Sequence, residues 1–383
     1  MEEINPWWFT DKWEREDADI KKWKNMEIRW TPCWINRISL KPFSLNFVIG
    51  TRQVGKTTGL KLLIKDLIER GKDARSITYM NCEILLNAEN LKNWFSHYFE
   101  KRKERDILIL DEITAIEDWW KVVKFYIDAG KFSDSVLIIS GSLSSKLKKY
   151  SESFPGRRGR GKEILVLPLS FREFLEVKRI DASMENRVKK AFDEFLVTGG
   201  FPRTINKDFS FYTDFIGSFE NTLLKIDRNP KLGLQIVLQI IKKAPSALSF
   251  NAIASELGIS HLTVMDYVER FEEMLISKII YWKGKEINFR KEKKIILRDP
   301  AIVQSFAKVF NLEIRKDFLY EWIVQEHLLR KYREVYYYRD GYEIDCIAGN
   351  EKIEVKAGKP HRKYPRGVNV LEEGDLPRFL LKM

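Results

Sequence analysis

The segment Gly50–Thr57 constrains this chain more than any other, because it fits the phosphate-binding pattern G-x-x-x-x-G-K-[ST] at every fixed position. An apolar segment of strand length, 43–49, precedes it, and residues 58–70 follow with apolar side chains at helical spacing. A strand, a glycine loop and a helix start direct backbone N–H groups and positive potential toward one point. The segment therefore predicts a P-loop that binds the phosphates of a nucleotide. The predicted binding residues are Gly50, Thr51, Arg52, Gln53, Val54, Gly55, Lys56, Thr57 and Thr58.

Within this loop, Lys56 is predicted to reach the β- and γ-phosphates and Thr57 to ligate Mg²⁺. A second apolar strand, 106–110, ends in the carboxylates Asp111 and Glu112. In P-loop NTPases an acid at such a strand end supports Mg²⁺, and a neighbouring residue orients the attacking water. We therefore expect Asp111 to support the metal and Glu112 to activate water. The alternative is a buried strand that ends at an acidic turn.

A third apolar strand, 135–139, is followed by Ser140 and Ser142. A polar side chain at this strand end senses the γ-phosphate in AAA+ proteins, and Ser140 is the first candidate; a serine-rich turn is the alternative. The basic loop 155–162 follows. Arg158 or Arg160 of this loop could stabilise the charge on the transferring phosphoryl group, across a subunit interface if the chain forms a homo-oligomer. The loop could equally face solvent or DNA.

Alternating strands and helices between residues 41 and 170 predict a parallel sheet covered by helices. The expected strands are 45–49, 76–81, 107–111, 135–140 and 163–168, and the expected helices are 56–70, 89–103, 117–129 and 143–150. The predicted fold class is an α/β multidomain chain with a P-loop NTPase parallel sheet. A helical lid, a winged helix and a small α/β nuclease-like domain complete it. The predicted domains are a Trp-rich arm (1–40), an ATPase domain with its lid (41–230), a winged helix-turn-helix (231–300) and a restriction-endonuclease-like domain (301–383).

The composition of the chain limits which binding partners and which cellular compartment we expect. The chain has 383 residues and a net charge of +12, which permits binding to nucleic acid without requiring it. Its three cysteines are scattered without metal-ligand spacing, which favours a reducing compartment. The beginning of the chain lacks a signal sequence, and no apolar run has membrane-spanning length. We therefore expect a cytoplasmic protein without a membrane partner.

Six of the eleven tryptophans lie within residues 1–40. They could stack on bases or grip a partner, or they could pin an N-terminal arm against the ATPase core.

Residues 231–298 carry the pattern of a winged helix-turn-helix. Phe250–Leu257 and His261–Leu275 read as two helices around a turn, and 279–297 reads as a hairpin wing. Use of the winged helix for packing or protein contact is the alternative to DNA binding. In the DNA-binding interpretation, Ser260, His261 and Thr263 approach a groove while Lys283, Lys285 and Arg290 contact phosphates.

The last segment holds a second candidate chemistry. Residues 342–347 and 352–356 read as two strands that bring Asp345, Glu354 and Lys356 together. Two carboxylates can bind a second divalent metal, and a lysine can stabilise charge. Glu326, on a preceding helix predicted at 318–332, is a further acidic candidate. The alternative is a hairpin with surface salt bridges.

Several segments occur in an order that resembles a known family. The P-loop, the Asp111-Glu112 pair and the segment 140–142 are followed by Leu167–Phe174 (LPLSFREF) and Thr198–Pro202 (TGGFP), then by the winged helix and the Glu-Ile-Asp…Glu-Val-Lys module. This order resembles archaeal and bacterial AAA+-like ATPases with a C-terminal restriction-endonuclease-like domain. The resemblance implies ATP and Mg²⁺, and it places Asp345, Glu354 and Lys356 at the positions of a PD-(D/E)xK nuclease core. Thr51 departs from the proline that many relatives carry after the first glycine.

The main functional hypothesis is a Mg²⁺-dependent ATPase that acts on or with DNA. A nucleotide-gated switch that hydrolyses slowly and recruits a protein is a second hypothesis. A DNA nuclease regulated by the ATPase is the third.

Overall fold

The computed structural model describes residues 2–102, 105–142, 154–358 and 364–383. It separates into two compact units, Met1–Leu167 and Pro168–Met383. Residues 170–230, the helical part of the predicted ATPase domain (41–230) that would form its lid, belong to the second unit. The four predicted domains stay a prediction.

The first unit is built on a parallel sheet of five strands in the order β2-β3-β4-β1-β5. Its elements are α1 (Ala18–Lys24), β1 (Ser44–Gly50), α2 (Lys56–Glu69), β2 (Ile77–Asn81), α3 (Ala88–Lys101), β3 (Ile107–Asp111), α4 (Trp119–Asp128), β4 (Val136–Gly141) and β5 (Glu163–Val166). Every residue of β1, β3 and β4 is buried, as expected for the central strands of a sheet covered on both faces. Parallel pairing brings the carboxyl ends of these strands to one edge of the sheet.

All five strands and the first three helices of the sequence prediction are confirmed, with boundaries that differ by a few residues at most. The predicted helix 143–150 falls outside the described residues. The α/β class with a parallel sheet is likewise confirmed. Hydrophobic periodicity is a local property of the sequence, so it located these elements directly.

The N-terminal arm, which we define as residues 2–24, lies along the outer edge of this sheet. The indole N–H groups of Trp7 and Trp8 both donate to the carbonyl oxygen of Ile77 in β2, at 2.9 and 2.8 Å. The rings of Trp7 and Trp13 meet edge to face and are buried. The tryptophans of this arm therefore serve packing within the first unit, and burial leaves the rings of Trp7 and Trp13 unavailable for stacking on bases.

The second unit begins with helices and ends with a mixed sheet. Its helices are α5 (Phe171–Val177), α6 (Glu185–Thr198), α7 (Pro202–Ile205), α8 (Phe211–Lys225), α9 (Pro230–Lys243), α10 (Phe250–Leu257), α11 (His261–Glu273), α12 (Pro300–Phe310), α13 (Lys316–Tyr332) and α14 (Leu376–Leu380). Its strands are β6 (Ser277–Lys283), β7 (Ile287–Asn288), β8 (Lys294–Leu297), β9 (Tyr336–Asp340), β10 (Tyr342–Ala348), β11 (Glu351–Lys356) and β12 (Asn369–Glu372).

These seven strands form one sheet with the order β12-β11-β10-β9-β6-β7, in which β8 pairs with β6. Strand β6 is antiparallel to β8 and parallel to β9. A single sheet therefore contains both the predicted hairpin wing and the predicted nuclease-like strands. Among the described residues, no helix combines the length and the apolar character needed to cross a bilayer.

Candidate functional site

The candidate site is built around the turn from β1 into α2. A Cβ on Gly50 would lie 2.5 Å from the carbonyl oxygen of Val166 in β5, so only glycine fits there. Gly55 has a φ of 95°, a conformation that side chains disfavour, and α2 begins at the next residue. Steric constraints therefore explain why glycine occupies positions 50 and 55 of the motif. The turn leads into a helix N-terminus, which is favourable for an anion.

Lys56 is held at the first turn of α2 with only 3% of its side chain exposed. Its Nζ donates to the carbonyl oxygens of Gly50 at 3.1 Å and Thr51 at 3.2 Å, and it lies 3.0 Å from Oε1 of Glu112. Burial alone would raise the pKa of the Glu112 carboxyl, but the Lys56 ammonium, aided by Arg52 and Ser142, holds that pKa below its usual range. Glu112 is therefore ionised at neutral pH.

Asp111, at the end of β3, is 2% exposed and receives three hydroxyl groups. The Oγ1 of Thr57 donates to its Oδ2 at 2.6 Å, and the hydroxyl of Tyr79 donates to the same oxygen at 2.8 Å. Ser140, at the end of β4, donates to Oδ1. The structure thus brings Thr57, Asp111 and Ser140 together, and it adds Tyr79, which sequence analysis missed.

The backbone turns sharply after Asp111. Glu112 has a φ of 51°, which is strained for a non-glycine residue, and its N–H donates to the Oγ of Ser140 at 3.0 Å. Ser142, the second serine candidate, forms a hydrogen bond with the Glu112 side chain. Both predicted serines therefore contact the acidic pair, Ser140 more extensively.

The remaining loop residues line the same turn. The guanidinium of Arg52 lies 3.8 Å from the carboxylate of Glu83, and Gln53 has a φ of 63°. Val54 is buried and Thr58 is half-buried. These residues, with the buried Thr51, complete the loop.

Arg158 and Arg160 are not brought to this site within one chain. Backbone hydrogen bonds join Leu45 N–H to the Arg158 carbonyl and Arg160 N–H to the Phe43 carbonyl, each at 3.0 Å. The Arg158 guanidinium lies over the ring of Phe47. Leu45 precedes Gly50 by five residues, which is about 16 Å along an extended strand. The backbone of both arginines therefore pairs near the start of β1, at the end of the strand opposite the P-loop.

A second cluster of charges lies in the second unit and contains the predicted triad. Asp345 in β10 accepts from Lys294 Nζ at 2.8 Å and from the Val355 N–H at 2.9 Å. Lys294 also lies 2.8 Å from Glu321 in α13 and 2.9 Å from Glu343. Burial alone would lower the pKa of Lys294, but these carboxylates raise it well above its usual value. Lys294 is therefore a buried cation among three carboxylates.

Glu354 and Lys356 lie beside this cluster. Oε1 of Glu354 is 2.5 Å from Lys356 Nζ and accepts from the Tyr364 hydroxyl at 3.1 Å. Its other oxygen is buried and has no hydrogen-bond partner among the described residues. Burial and the neighbouring Asp345 raise the pKa of Glu354 to about 6. The three predicted side chains therefore converge.

The prediction for Glu326 was wrong. Its carboxylate is bound by Arg298 and Arg330, each at 2.9 Å, so Glu321 is the helix residue that reaches the cluster. Sequence analysis also missed Lys294. A lysine at the start of the apolar strand 294–297 indicates a buried charge, which requires carboxylate partners. Within the described ranges, no group of three or more His, Cys, Asp or Glu side chains is arranged to hold a metal ion.

The predicted DNA-contact residues lie at the start of α11, at the end of β6 and in the turns that follow β6 and β7. Ser260 and His261 are exposed, and Ser260 caps α11 by accepting from the Thr263 N–H at 3.1 Å. The Lys283 ammonium lies over the Tyr336 ring, whereas Lys285 and Arg290 are exposed. These positions leave His261, Lys285 and Arg290 accessible on the second unit.

Comparison with known proteins identifies the segment around the candidate site. Residues 43–175, about a third of the chain, match the model of a family described as an AAA domain. An uncharacterised Haemophilus influenzae protein is 23% identical over 268 residues, which cover 64% of this chain and 63% of that protein. The chain thus spans less than two thirds of that relative's length. An uncharacterised Methanocaldococcus jannaschii protein is 27% identical over 369 residues, covering 86% of this chain and 78% of that protein.

Two solved structures illustrate the distant structural similarity. The Thermotoga maritima RuvB Holliday junction branch migration motor is 15% identical, with a TM-score of 0.36 over 71% of this chain and 88% of that one. The Aeropyrum pernix ORC2 protein, in ADPNP–ADP complexes, is 12% identical, with a TM-score of 0.40 over 73% and 92%. Scores this low do not transfer the function of those proteins to this chain.

Proposed function

We propose that this chain is a Mg²⁺-dependent ATPase of the AAA type. The observation that carries the proposal is the convergence of Lys56, Thr57, Asp111, Glu112 and Ser140 at the carboxyl ends of parallel strands. The AAA-domain match over residues 43–175 covers all five.

Oxygen ligands suit Mg²⁺, and the hydroxyl of Thr57 and the carboxylate of Asp111 are neighbouring oxygens that would hold it. When bound, Mg²⁺ neutralises charge on the nucleotide phosphates. The loop N–H groups and Lys56 bind and orient those phosphates. Glu112 is kept ionised by Lys56 and is suited to orient and deprotonate a water molecule.

The Lys56–Glu112 ion pair implies a change of partner. A triphosphate competes with Glu112 for the Lys56 ammonium, since both are anions within reach of one cation. Once Lys56 turns to the phosphates, the Glu112 carboxylate is released for water. Nucleotide binding therefore activates the base that acts on the nucleotide.

The test compares two substitutions in the purified chain. Lys56→Ala is expected to lose ATP binding, because the loop loses the buried ammonium at the start of α2 that would pair with the phosphates. Glu112→Gln is expected to keep ATP binding while phosphate release falls about 10²- to 10⁴-fold. Normal turnover in either variant contradicts the proposal. A wild type that binds ATP and turns over only very slowly would favour the nucleotide-gated protein-binding switch instead.

We further propose that the chain acts on or with DNA and that it forms a homo-oligomer. The net charge of +12 and the helix pair α10–α11 beside the antiparallel β6 and β8 support a winged helix that contacts DNA. Phosphate release with single-stranded, duplex and branched DNA tests this step. Neutralising Lys283 and Lys285 should lower the slope of log K against log salt by up to about 0.9 per lost duplex contact. The exposed Lys131 of the first unit provides the control substitution.

The oligomer step concerns the basic loop. If Arg158 or Arg160 acts in a neighbouring subunit, its alanine variant should lose turnover and keep nucleotide affinity. Mixing that variant with Lys56→Ala should then restore some activity. Full ATPase activity of both arginine variants would refute the proposal that either arginine acts in a neighbouring subunit.

The nuclease hypothesis is less well supported than the ATPase. Lys294 already supplies a positive charge to Asp345, Glu321 and Glu343, so these carboxylates do not fit a second divalent metal. Metal-dependent nicking of DNA by the wild type, lost in Asp345→Ala, would restore the hypothesis.

A further inference from the structure

Asn5 of the N-terminal arm is paired with the backbone of Tyr79 in the edge strand β2. Its Nδ2 donates to the Tyr79 carbonyl oxygen at 3.1 Å, and the Tyr79 N–H donates to its Oδ1 at 2.7 Å. Asn5 is fully buried. One side-chain amide thus satisfies both backbone groups of Tyr79, as a neighbouring strand would.

The side chain of Tyr79 extends from this point into the P-loop site. Its hydroxyl donates to Oδ2 of Asp111, the oxygen that also accepts from Thr57. Because a carboxylate oxygen can only accept, the Tyr79 hydroxyl is the donor in this contact. The arm is therefore two contacts away from the carboxylate proposed to support Mg²⁺.

The arm also holds the ring of Tyr79 through Lys61 of α2. The Lys61 ammonium is 3.0 Å from Asp17 of the arm, and both side chains are almost completely buried. It lies 3.8 Å from the centre of the Tyr79 ring and 4.9 Å from that of the Trp7 ring. Since a buried ammonium needs its counter-ion, Asp17 fixes Lys61 against the Tyr79 ring.

We propose that Tyr79 is a positioning residue for Asp111, and that the N-terminal arm sets the divalent-cation affinity of the P-loop site through Asn5 and Asp17. The inference rests on the proposed ATPase function. Loss of the arm contacts frees Tyr79 to move, and Asp111 then loses a donor that orients its carboxylate. Partners of this kind typically change metal affinity by about 10- to 100-fold.

The experiment measures Mn²⁺ affinity of the ADP-loaded full chain from the electron paramagnetic resonance signal of free Mn²⁺. Tyr79→Phe, which removes only the hydroxyl, is expected to weaken Mn²⁺ binding about tenfold. Tyr98→Phe is the matched control, because Tyr98 is a buried tyrosine of the same unit whose hydroxyl has no hydrogen-bond partner among the described residues. It should leave Mn²⁺ affinity unchanged.

A double-mutant cycle tests whether the arm acts through Tyr79. Asn5→Ala alone should weaken Mn²⁺ binding, and adding it to Tyr79→Phe should cause little further loss. Losses that multiply, or unchanged affinity in Asn5→Ala, overturn the proposal. If Tyr79→Phe is unfolded, the Mn²⁺ affinity of Asn5→Ala alone tests the proposal, and an affinity equal to that of the wild type overturns it. Normal turnover by Lys56→Ala would refute the proposed ATPase function itself. If Lys56→Ala is inactive but Asn5→Ala and Tyr79→Phe both keep the Mn²⁺ affinity of the wild type, only the role proposed for the arm is refuted.

Discussion

Each unit of the chain buries a lysine beside carboxylates, and the two lysines differ in what else they contact. Lys56 is bound by one carboxylate and two backbone carbonyls, and Glu112 retains 18% exposure. Lys294 is equally buried but is bound by three carboxylates, of which Glu321 and Asp345 are almost completely buried. A phosphate can replace the few anionic contacts of Lys56. Lys294 has no reason to leave its partners, because no incoming ligand would balance the carboxylates that it left.

The number of carboxylates around each lysine thus decides whether its charge is available to a ligand. At the P-loop only one carboxylate pairs with Lys56, and the N-terminus of α2 favours an anion supplied from outside. In the second unit the negative charge is supplied by the chain itself. We therefore expect substitution of Lys56 to affect function and substitution of Lys294 to affect stability.

The largest expected effect is on the folding of the second unit. Lys294→Met should lower the free energy of unfolding by about 3–5 kcal/mol, because it leaves buried carboxylates without their cation. ATP binding by the first unit should persist. Urea unfolding and an ATP titration measure both, and an undiminished unfolding free energy would break the comparison.

The converse effect is expected at the P-loop. Lys56→Met should weaken ATP binding as Lys56→Ala does and reduce ATP turnover by at least about 10²- to 10³-fold, because the charged group at the phosphates is lost. Its cost in stability should be only about 1 kcal/mol, since water can reach the Glu112 carboxylate. Phosphate release and urea unfolding of the same preparation check the pair of values. A loss of stability as large as that of Lys294→Met would remove the distinction between the two sites.

A smaller effect is expected when the charge balance of the second cluster is restored. Asp345→Asn in the Lys294→Met background should recover part of the lost stability, with a coupling energy of about 0.5–3 kcal/mol. A double-mutant cycle by urea unfolding measures it. Arg330→Met, which removes a cation from Glu326 instead, provides the control because Asp345→Asn should not rescue it.

The smallest effect concerns pH. The pKa of Glu354 is about 6 in the folded chain against an ordinary 4.5, so the folded state binds this proton more tightly than the unfolded state. Stability from this group is therefore full below pH 4.5 and is lost as pH rises through 6, by about 1–2 kcal/mol. Glu354→Gln should flatten the pH dependence of unfolding over that window. An unchanged difference between wild type and variant across these pH values would contradict the raised pKa.

Sequence analysis located what depends on neighbouring residues and missed what depends on distant ones. The P-loop and the Asp111-Glu112 pair were found because each is a short motif at the end of an apolar strand. Tyr79 and Asn5 are 74 residues apart, and Lys294 and Asp345 are 51 apart. No periodicity or spacing joins such pairs, since only tertiary packing brings them into contact. Glu321 was missed for the same reason, because the helix pattern alone could not show which carboxylate faces β10.

The arm along β2 has a further consequence for the behaviour of the chain in a concentrated solution. An edge strand offers unpaired N–H and C=O groups that recruit strands of other molecules and start aggregates. The side chains of Asn5, Trp7 and Trp8 occupy these groups at Ile77 and Tyr79. The arm therefore covers the edge of the sheet and blocks strand pairing between molecules. A chain shortened past Trp8 should become more prone to precipitate even where its individual molecules remain folded.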